Sequence, residues 1–118
     1  RAVVVALLVA LAGCDLPRDM DGTLARVRGG ALRVGVAGQG AWARLEGEHA
    51  AGVEAALVRR AARRLGARVR WVRGAPDDLL EALERGDLDL VIGGLVDDTP
   101  WRDRVGLTRP HAVARLLV

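Results

Sequence analysis

The chain of 118 residues lacks phenylalanine, tyrosine and lysine, and it contains a single cysteine. Because one cysteine has no partner, no disulfide can form within the chain, and the fold depends on its apolar core. Tryptophan, present three times, is the only aromatic residue besides histidine, so the core must consist of alanine, valine, leucine and isoleucine. This length allows one modest domain and is too short for a complete two-domain protein.

The basic residues are arginines, but they outnumber the acidic residues by only 18 to 15. Such a small excess does not predict a nucleic-acid partner. Arg59, Arg60, Arg63 and Arg64 recur at helical spacing, which favours a solvated helix face. A phosphate-binding patch is the alternative, although no aromatic residues alternate with these arginines. No metal site or cofactor is expected, because no histidine or cysteine pattern has the spacing of metal ligands.

Small residues directly precede the lone cysteine in the tetrapeptide Leu11-Ala12-Gly13-Cys14. The apolar run from Ala2 to Gly13 is shorter than the roughly 20 residues of a membrane span and fits the roughly 7–15-residue core of a secretory signal. The pattern predicts a lipobox, with residues 1–14 as signal segment, lipid on Cys14 and a location on the periplasmic side of the cell membrane. The alternative is a buried strand that ends in a buried cysteine.

The first half of the remaining chain predicts a tether, a strand and a helix. Residues 15–30 are polar and rich in glycine, so they predict a tether followed by a loop. Alternation over Leu32–Val36 predicts a strand, and a glycine-containing loop follows over Ala37–Gly47. The apolar stripe over Ala50–Leu65 predicts an amphipathic helix that ends at Gly66.

The second half repeats this pattern. Ala67–Val72 predicts a strand, a helix begins at Pro76 and stops at Gly86, and Leu88–Ile92 predicts a third strand. The order indicates an α/β fold of βαβαβ type, an open and mainly parallel sheet with flanking helices. Ligands of such sheets bind beyond the carboxyl ends of the strands, so the loops at 37–46, 73–76 and 93–104 are the expected site.

Several sequence pieces then occur in a characteristic order. They are Leu32-Arg33-Val34-Gly35-Val36, Arg64-Leu65-Gly66, Gly86-Asp87-Leu88-Asp89-Leu90-Val91-Ile92-Gly93-Gly94 and Thr99-Pro100-Trp101-Arg102. Together they resemble the type 2 periplasmic solute-binding proteins, family 3, that serve amino-acid ABC transporters. The resemblance runs from Leu32 to about His111 and implies one lobe of a two-lobed binding protein.

The resemblance also implies a set of binding residues. Arg102 corresponds to the arginine that binds the α-carboxylate of the ligand in that family, and a planar guanidinium can donate two parallel hydrogen bonds to a carboxylate. Thr99 would add a hydroxyl, and backbone amides near Gly94 and Leu95 would approach the ligand closely. No catalytic residue is expected.

Two of these assignments have alternatives. Trp42 lies where the family has an aromatic platform for the ligand, but a core or lid tryptophan fits the pattern equally well. Arg102 could instead form a surface ion pair with Asp98 or Asp103. Glu54 joins Arg102 and Trp42 as a binding residue if the lobe is a sensor.

The domain organisation implied by the resemblance is a first lobe over residues 31–111 and the start of a crossover over 112–118, with the second lobe outside this chain. The leading hypothesis is a monomeric, lipid-anchored binding protein that captures a small carboxylate such as an amino acid and delivers it to an ABC permease. The alternatives are the binding-fold lobe of an enzyme, such as a membrane-bound lytic transglycosylase or a dehydratase, a sensory input domain, or a structural lipoprotein.

Overall fold

The computed structural model describes residues 19–38 and 40–113. Cys14, the rest of the signal segment and residues 114–118 lie outside the described residues, so the lipobox and most of the proposed crossover remain predictions. The described elements are α1 (Thr23–Val27), β1 (Ala31–Val36), β2 (Arg44–Glu46), β3 (His49–Ala51), α2 (Val53–Leu65), β4 (Arg68–Arg73), α3 (Pro76–Glu84) and β5 (Leu90–Ile92).

Three parallel strands form the main sheet in the order β4-β1-β5. Strand β1 lies in the centre, with Val34 opposite Trp71 on one side and Leu90 on the other. Since parallel neighbours require crossover connections, α2 links β1 to β4 by way of the β2–β3 hairpin, and α3 links β4 to β5. The mainly parallel α/β sheet predicted from the sequence is confirmed.

The sheet is covered by apolar side chains on both faces. On one face, Val34 and Val36 of β1 pack with Ala55 and Val58 of α2 and with Val27 of α1. On the other face, the core consists of Leu79, Leu80, Leu88 and Val91. These residues are aliphatic, as the absence of phenylalanine and tyrosine requires. The parallel sheet is therefore sandwiched between helices, as is usual when both faces are buried.

The structure differs from the sequence prediction at two places. Residues 37–47 were predicted as a loop and the helix was predicted to begin at Ala50, but β2 and β3 form a short antiparallel hairpin and α2 begins at Val53. The predicted tether contains helix α1, whose amide groups at Leu24 and Ala25 donate to the Asp19 carboxylate at 3.0 and 2.8 Å. These two bonds lower the pKa of Asp19.

A buried carboxylate ties α1 to the start of β5. Asp89, whose side chain is 3% exposed, accepts hydrogen bonds from the backbone and guanidinium of Arg33 at 2.8–3.1 Å and also pairs with Arg26. Burial by itself raises the pKa of Asp89, but the hydrogen bonds from Arg33 and Arg26 outweigh it and hold this pKa below the usual aspartate value. The ionised carboxylate is therefore the form that stabilises the fold.

The Asp89→Asn variant should lose about 2–3 kcal/mol of unfolding free energy at pH 7, because charged hydrogen bonds to a buried group are lost. A lowered folded-state pKa contributes stability above the unfolded value of about 3.9, and this contribution disappears as the pH falls through the folded value. Urea denaturation should thus show the gap between wild type and variant narrowing below about pH 4. Asp87→Asn, at an exposed ion pair with Arg85, is the matched control. A gap that stays constant with pH would contradict this role for Asp89.

Candidate ligand-binding site

The candidate site lies at the carboxyl ends of β1 and β5, where two glycines pack backbone against backbone. A Cβ added at Gly38 would lie 2.6 Å from the carbonyl oxygen of Ala43, and one at Gly93 would lie 2.7 Å from the amide nitrogen of Gly38. Gly93 also has a φ of 149°, which side-chain-bearing residues rarely adopt. Only glycine at both positions allows the two loops to approach each other so closely.

A buried glutamate holds the loop after β5 in place. Glu54, in the first turn of α2, is 6% exposed, and its Oε2 accepts hydrogen bonds from the amides of Gly93 and Gly94 at 2.8 and 2.9 Å. Its Oε1 lies 3.4 Å from Nε2 of His111. Because the carboxylate already accepts from two amides, Glu54 is a positioning residue in this structure, and the Gly94 amide donates to protein rather than to the open groove.

Trp42 covers the same loop from the hairpin side. A Cβ at Gly94 would lie 3.0 Å from Cδ1 of the indole, so the ring rests against a glycine backbone. Its other contact is edge-on to His111, with ring centroids 6.1 Å apart and planes at 76°. Trp42 is half-buried, which leaves part of the ring accessible to a solute.

An open groove of about 1010 Å³ runs beside these residues. Trp42, Glu54, Gly94, Leu95 and His111 all line it. Leu95 is 38% exposed, and its amide has no hydrogen-bond partner within the part of the chain that the structure describes. The groove therefore combines aromatic and aliphatic surface with polar groups, among them the Leu95 amide, which is the usual composition of a small-molecule site.

Thr99 and Arg102 occupy a separate turn that does not line this groove. The Thr99 carbonyl accepts from the amide of Arg102 at 3.1 Å, and its Oγ1 accepts weakly from the amide of Trp101 at 3.4 Å. The hydroxyl hydrogen of Thr99 is left to donate. Among the ion pairs of the described residues none involves Arg102, so the alternative pair with Asp98 or Asp103 is not formed there.

This turn is fastened to α3 by its neighbours. Trp101 donates from Nε1 to Asp77 at 3.0 Å, and the guanidinium of Arg104 lies 4.2 Å from the centre of the Trp101 ring. Arg104 also forms a two-pronged pair with Glu84, and its hydrogen bonds lower the pKa of that glutamate. The guanidinium of Arg102 is thus exposed and makes no ion pair with any residue in 19–38 or 40–113, and the position of its turn is determined by the residues on either side.

The predicted site residues thus fall into two groups. Trp42, Gly94 and Leu95 come together at one groove, while Thr99 and Arg102 lie on the adjoining turn. The positioning role of Glu54 and the contact of His111 with Trp42 were not predicted. An acidic residue in the first turn of a helix, two positions after the glycine that precedes the helix, was the available signal, but the sequence does not reveal which amides it would bind.

Residues 19–38 and 40–113 hold neither a metal-binding cluster nor a helix that could span a membrane. No group of three or more histidine, cysteine or acidic side chains there is arranged to hold a metal ion. None of the helices in the same residues has the length and apolar character of a membrane span.

Comparisons with known proteins agree with this architecture. Residues 32–118 match the sequence model of the bacterial extracellular solute-binding proteins, family 3. The L-cystine solute receptor of Neisseria gonorrhoeae, in its unliganded open conformation, is similar over 69% of this chain and 36% of the receptor, with 21% identity and a TM-score of 0.58. An ancestral cyclohexadienyl dehydratase is similar over 69% of this chain and 34% of the enzyme, with 25% identity and a TM-score of 0.57.

No curated protein gives a significant match. The chain spans about a third of the length of the two solved structures, so it corresponds to part of each. The similarity to the receptor, at 21% identity, shows a shared fold. The family match covers most of the chain and shows to which family it belongs. The chain therefore belongs to family 3 of the bacterial extracellular solute-binding proteins.

Proposed function

We propose that this chain is the first lobe of an extracytoplasmic receptor that captures a small carboxylate, such as an amino acid, for an ABC importer. The observation that carries the proposal is the guanidinium of Arg102, which is exposed and has no ion-pair partner among the described residues. Its turn is held to α3 by the hydrogen bond from Trp101 to Asp77 and adjoins the groove that Trp42 and Leu95 line. The family match over residues 32–118 supports the same role.

In this proposal each residue has a separate task. Arg102 binds the carboxylate with two parallel hydrogen bonds, and the Thr99 hydroxyl and the Leu95 amide donate to its oxygens. Trp42 offers an apolar ring face to the rest of the solute. Glu54 does not touch the solute but keeps Gly93 and Gly94 in position. The second lobe would supply the remaining contacts and close over the bound solute.

Lipid attachment at Cys14 is a part of the proposal that follows from the sequence pattern. An anchor there would keep the receptor beside its permease without a membrane-spanning helix. Mass spectrometry of the full-length protein isolated from membranes tests this attachment, and an unmodified Cys14 in that fraction would contradict it.

The Arg102→Ala variant of the full-length protein should bind its amino-acid ligand at least about tenfold more weakly, since one charged hydrogen bond contributes roughly 1.5–3 kcal/mol. The ligand is first identified by thermal-shift screening of amino acids and other small carboxylates, and its Kd is then measured by calorimetry. Arg70→Ala, which removes an exposed arginine of β4, is the matched control and should leave the Kd unchanged.

A second candidate is a dehydratase, and a specific contact favours it. Glu54 and His111 lie 3.4 Å apart, and a buried carboxylate beside a half-exposed imidazole could move a proton. One solved neighbour is a dehydratase. The same screen separates the two functions, because turnover of a cyclohexadienyl substrate that is lost in His111→Ala would indicate the enzyme, whereas saturable binding without turnover would indicate the receptor.

A further inference from the structure

The segment from Ala55 to Pro76 carries seven arginines and no acidic residue. It comprises most of α2 and all of β4, so the one-signed charge lies on two neighbouring elements. The net charge of the whole chain is only +3, which means that the positive charge is concentrated here rather than spread over the surface. A local field of this kind attracts polyanions even when the overall charge is small.

The side of α2 that faces solvent is determined by its buried residues. Ala55, Val58 and Ala62 are at most 4% exposed and pack on the sheet. Val53, Leu57, Arg60 and Arg64 follow one another at intervals of four, three and four residues, so they form one row along the opposite side. We call this row the α2 stripe.

The α2 stripe is exposed and has no acidic partner among the residues that the structure describes. Arg60 and Arg64 are exposed, and neither takes part in an ion pair or a side-chain hydrogen bond with any described residue. Arg63, at the flank of the stripe, is likewise exposed and unpaired within residues 19–38 and 40–113. The two charged positions are therefore free to bind anions from outside.

The other half of the α2 stripe is aliphatic. Val53 is 54% exposed and Leu57 is 47% exposed, although both are large apolar side chains. Their exposure leaves apolar area that an apolar environment outside the chain can bury. Exposed arginine and aliphatic side chains on one helix face supply the two contributions on which binding to an anionic membrane surface depends, electrostatic attraction and buried apolar area.

We propose that the α2 stripe binds the surface of an anionic phospholipid bilayer. Arg60 and Arg64 would pair with lipid phosphates, while Val53 and Leu57 would enter the boundary between headgroups and acyl chains. A nucleic acid is the less suitable polyanion, because the stripe has no aromatic side chain on which bases could stack. Leu57 also lines the candidate ligand groove, whereas Arg60 and Arg64 do not, so the two arginines test the membrane contact apart from solute binding.

The experiment measures vesicle binding by the full-length protein with Cys14→Ala, so that no covalent lipid contributes. The vesicles contain phosphatidylcholine with or without phosphatidylglycerol, and co-sedimentation is measured at low and at high salt. Each arginine near an anionic surface contributes roughly fivefold to the partition coefficient, so Arg60→Gln with Arg64→Gln should reduce binding to phosphatidylglycerol vesicles about 25-fold. Leu57→Gln should also reduce it.

The matched control is Arg68→Gln with Arg70→Gln, which removes the same charge from β4. Val69 and Trp71 pack in the core that α2 covers, so Arg68 and Arg70 point to the other face of the sheet. This control should bind vesicles nearly as well as the parent, and thermal unfolding should show that both double variants remain folded.

The proposal is supported if binding requires phosphatidylglycerol, weakens in salt and depends on the α2 stripe. If both double variants lost vesicle binding to the same extent, the binding would depend on net charge alone and the proposal would be overturned. Equal binding to pure phosphatidylcholine, or binding to duplex DNA without binding to vesicles, would overturn it as well. The proposal would also be overturned if the full-length protein did not bind phosphatidylglycerol vesicles, since another part of the protein would then cover the α2 stripe.

Discussion

The Glu54→Ala variant is expected to lose about 3–4 kcal/mol of unfolding free energy, because the part-buried amides of Gly93 and Gly94 both lose a charged acceptor. The cost exceeds that of an ordinary surface glutamate, since water cannot readily replace a carboxylate that is 6% exposed. Alanine itself is a good helix former, so helix propensity does not contribute to the loss. Urea denaturation of the full-length protein measures the effect.

Two comparisons make this result specific to the amide contacts. Glu54→Gln keeps an oxygen that can accept from Gly93 and Gly94, and it should lose clearly less than the alanine variant. Glu81→Ala removes an exposed glutamate from α3 and should cost little. If Glu54→Ala proved no more costly than Glu81→Ala, the carboxylate would not be what holds the loop after β5.

The Gly52→Ala variant should lose about 3 kcal/mol or more, because backbone strain and overpacking add at the same position. Gly52 precedes α2 with a φ of 108°, and a Cβ there would lie 2.5 Å from the carbonyl oxygen of Trp42. The obstacle is backbone rather than the tip of a flexible side chain. Trp42 must therefore move, and both thermal unfolding and the fluorescence of this tryptophan should change.

Gly47→Ala provides the control for the strain alone. Gly47 has a φ of 64° in the turn between β2 and β3, but no atom lies within 4 Å of an added Cβ. Its replacement should cost about 1 kcal/mol, the usual penalty of a left-handed residue with a side chain. Equal losses for the two variants would mean that the contact between Gly52 and Trp42 does not determine the position of α2.

Much of the fold follows from local sequence patterns. Strand β1 alternates apolar and other residues over Leu32–Val36, and β4 does so over Arg68–Trp71. Helix α2 has a continuous apolar stripe, so both the strand period and the helix period are visible in the sequence. The hairpin could not be predicted in this way, because β2 and β3 have three residues each and show too little alternation. Helix α1 has five residues, and its stability depends on Asp19 and on the burial of Val27.

The candidate site was predictable in its location but not in its bonding. Trp42, Gly94 and Leu95 lie at the carboxyl ends of the strands, where the topology directs attention. The bonds from Gly93 and Gly94 to Glu54 connect residues 39 and 40 positions apart. No local pattern reveals such a partner, since it depends on how closely α2 approaches β5.

The division of tasks around Glu54 has a consequence for how this lobe can diverge. At Gly38, Gly52 and Gly93 the neighbouring backbone lies so close that an added Cβ would be 2.5–2.7 Å from a backbone atom. The side chains of Trp42 and Leu95 line the groove, and neither takes part in these close backbone approaches. Substitution of these side chains alters the surface offered to a solute while leaving the scaffold intact. Solute preference can therefore evolve at this corner without a new fold.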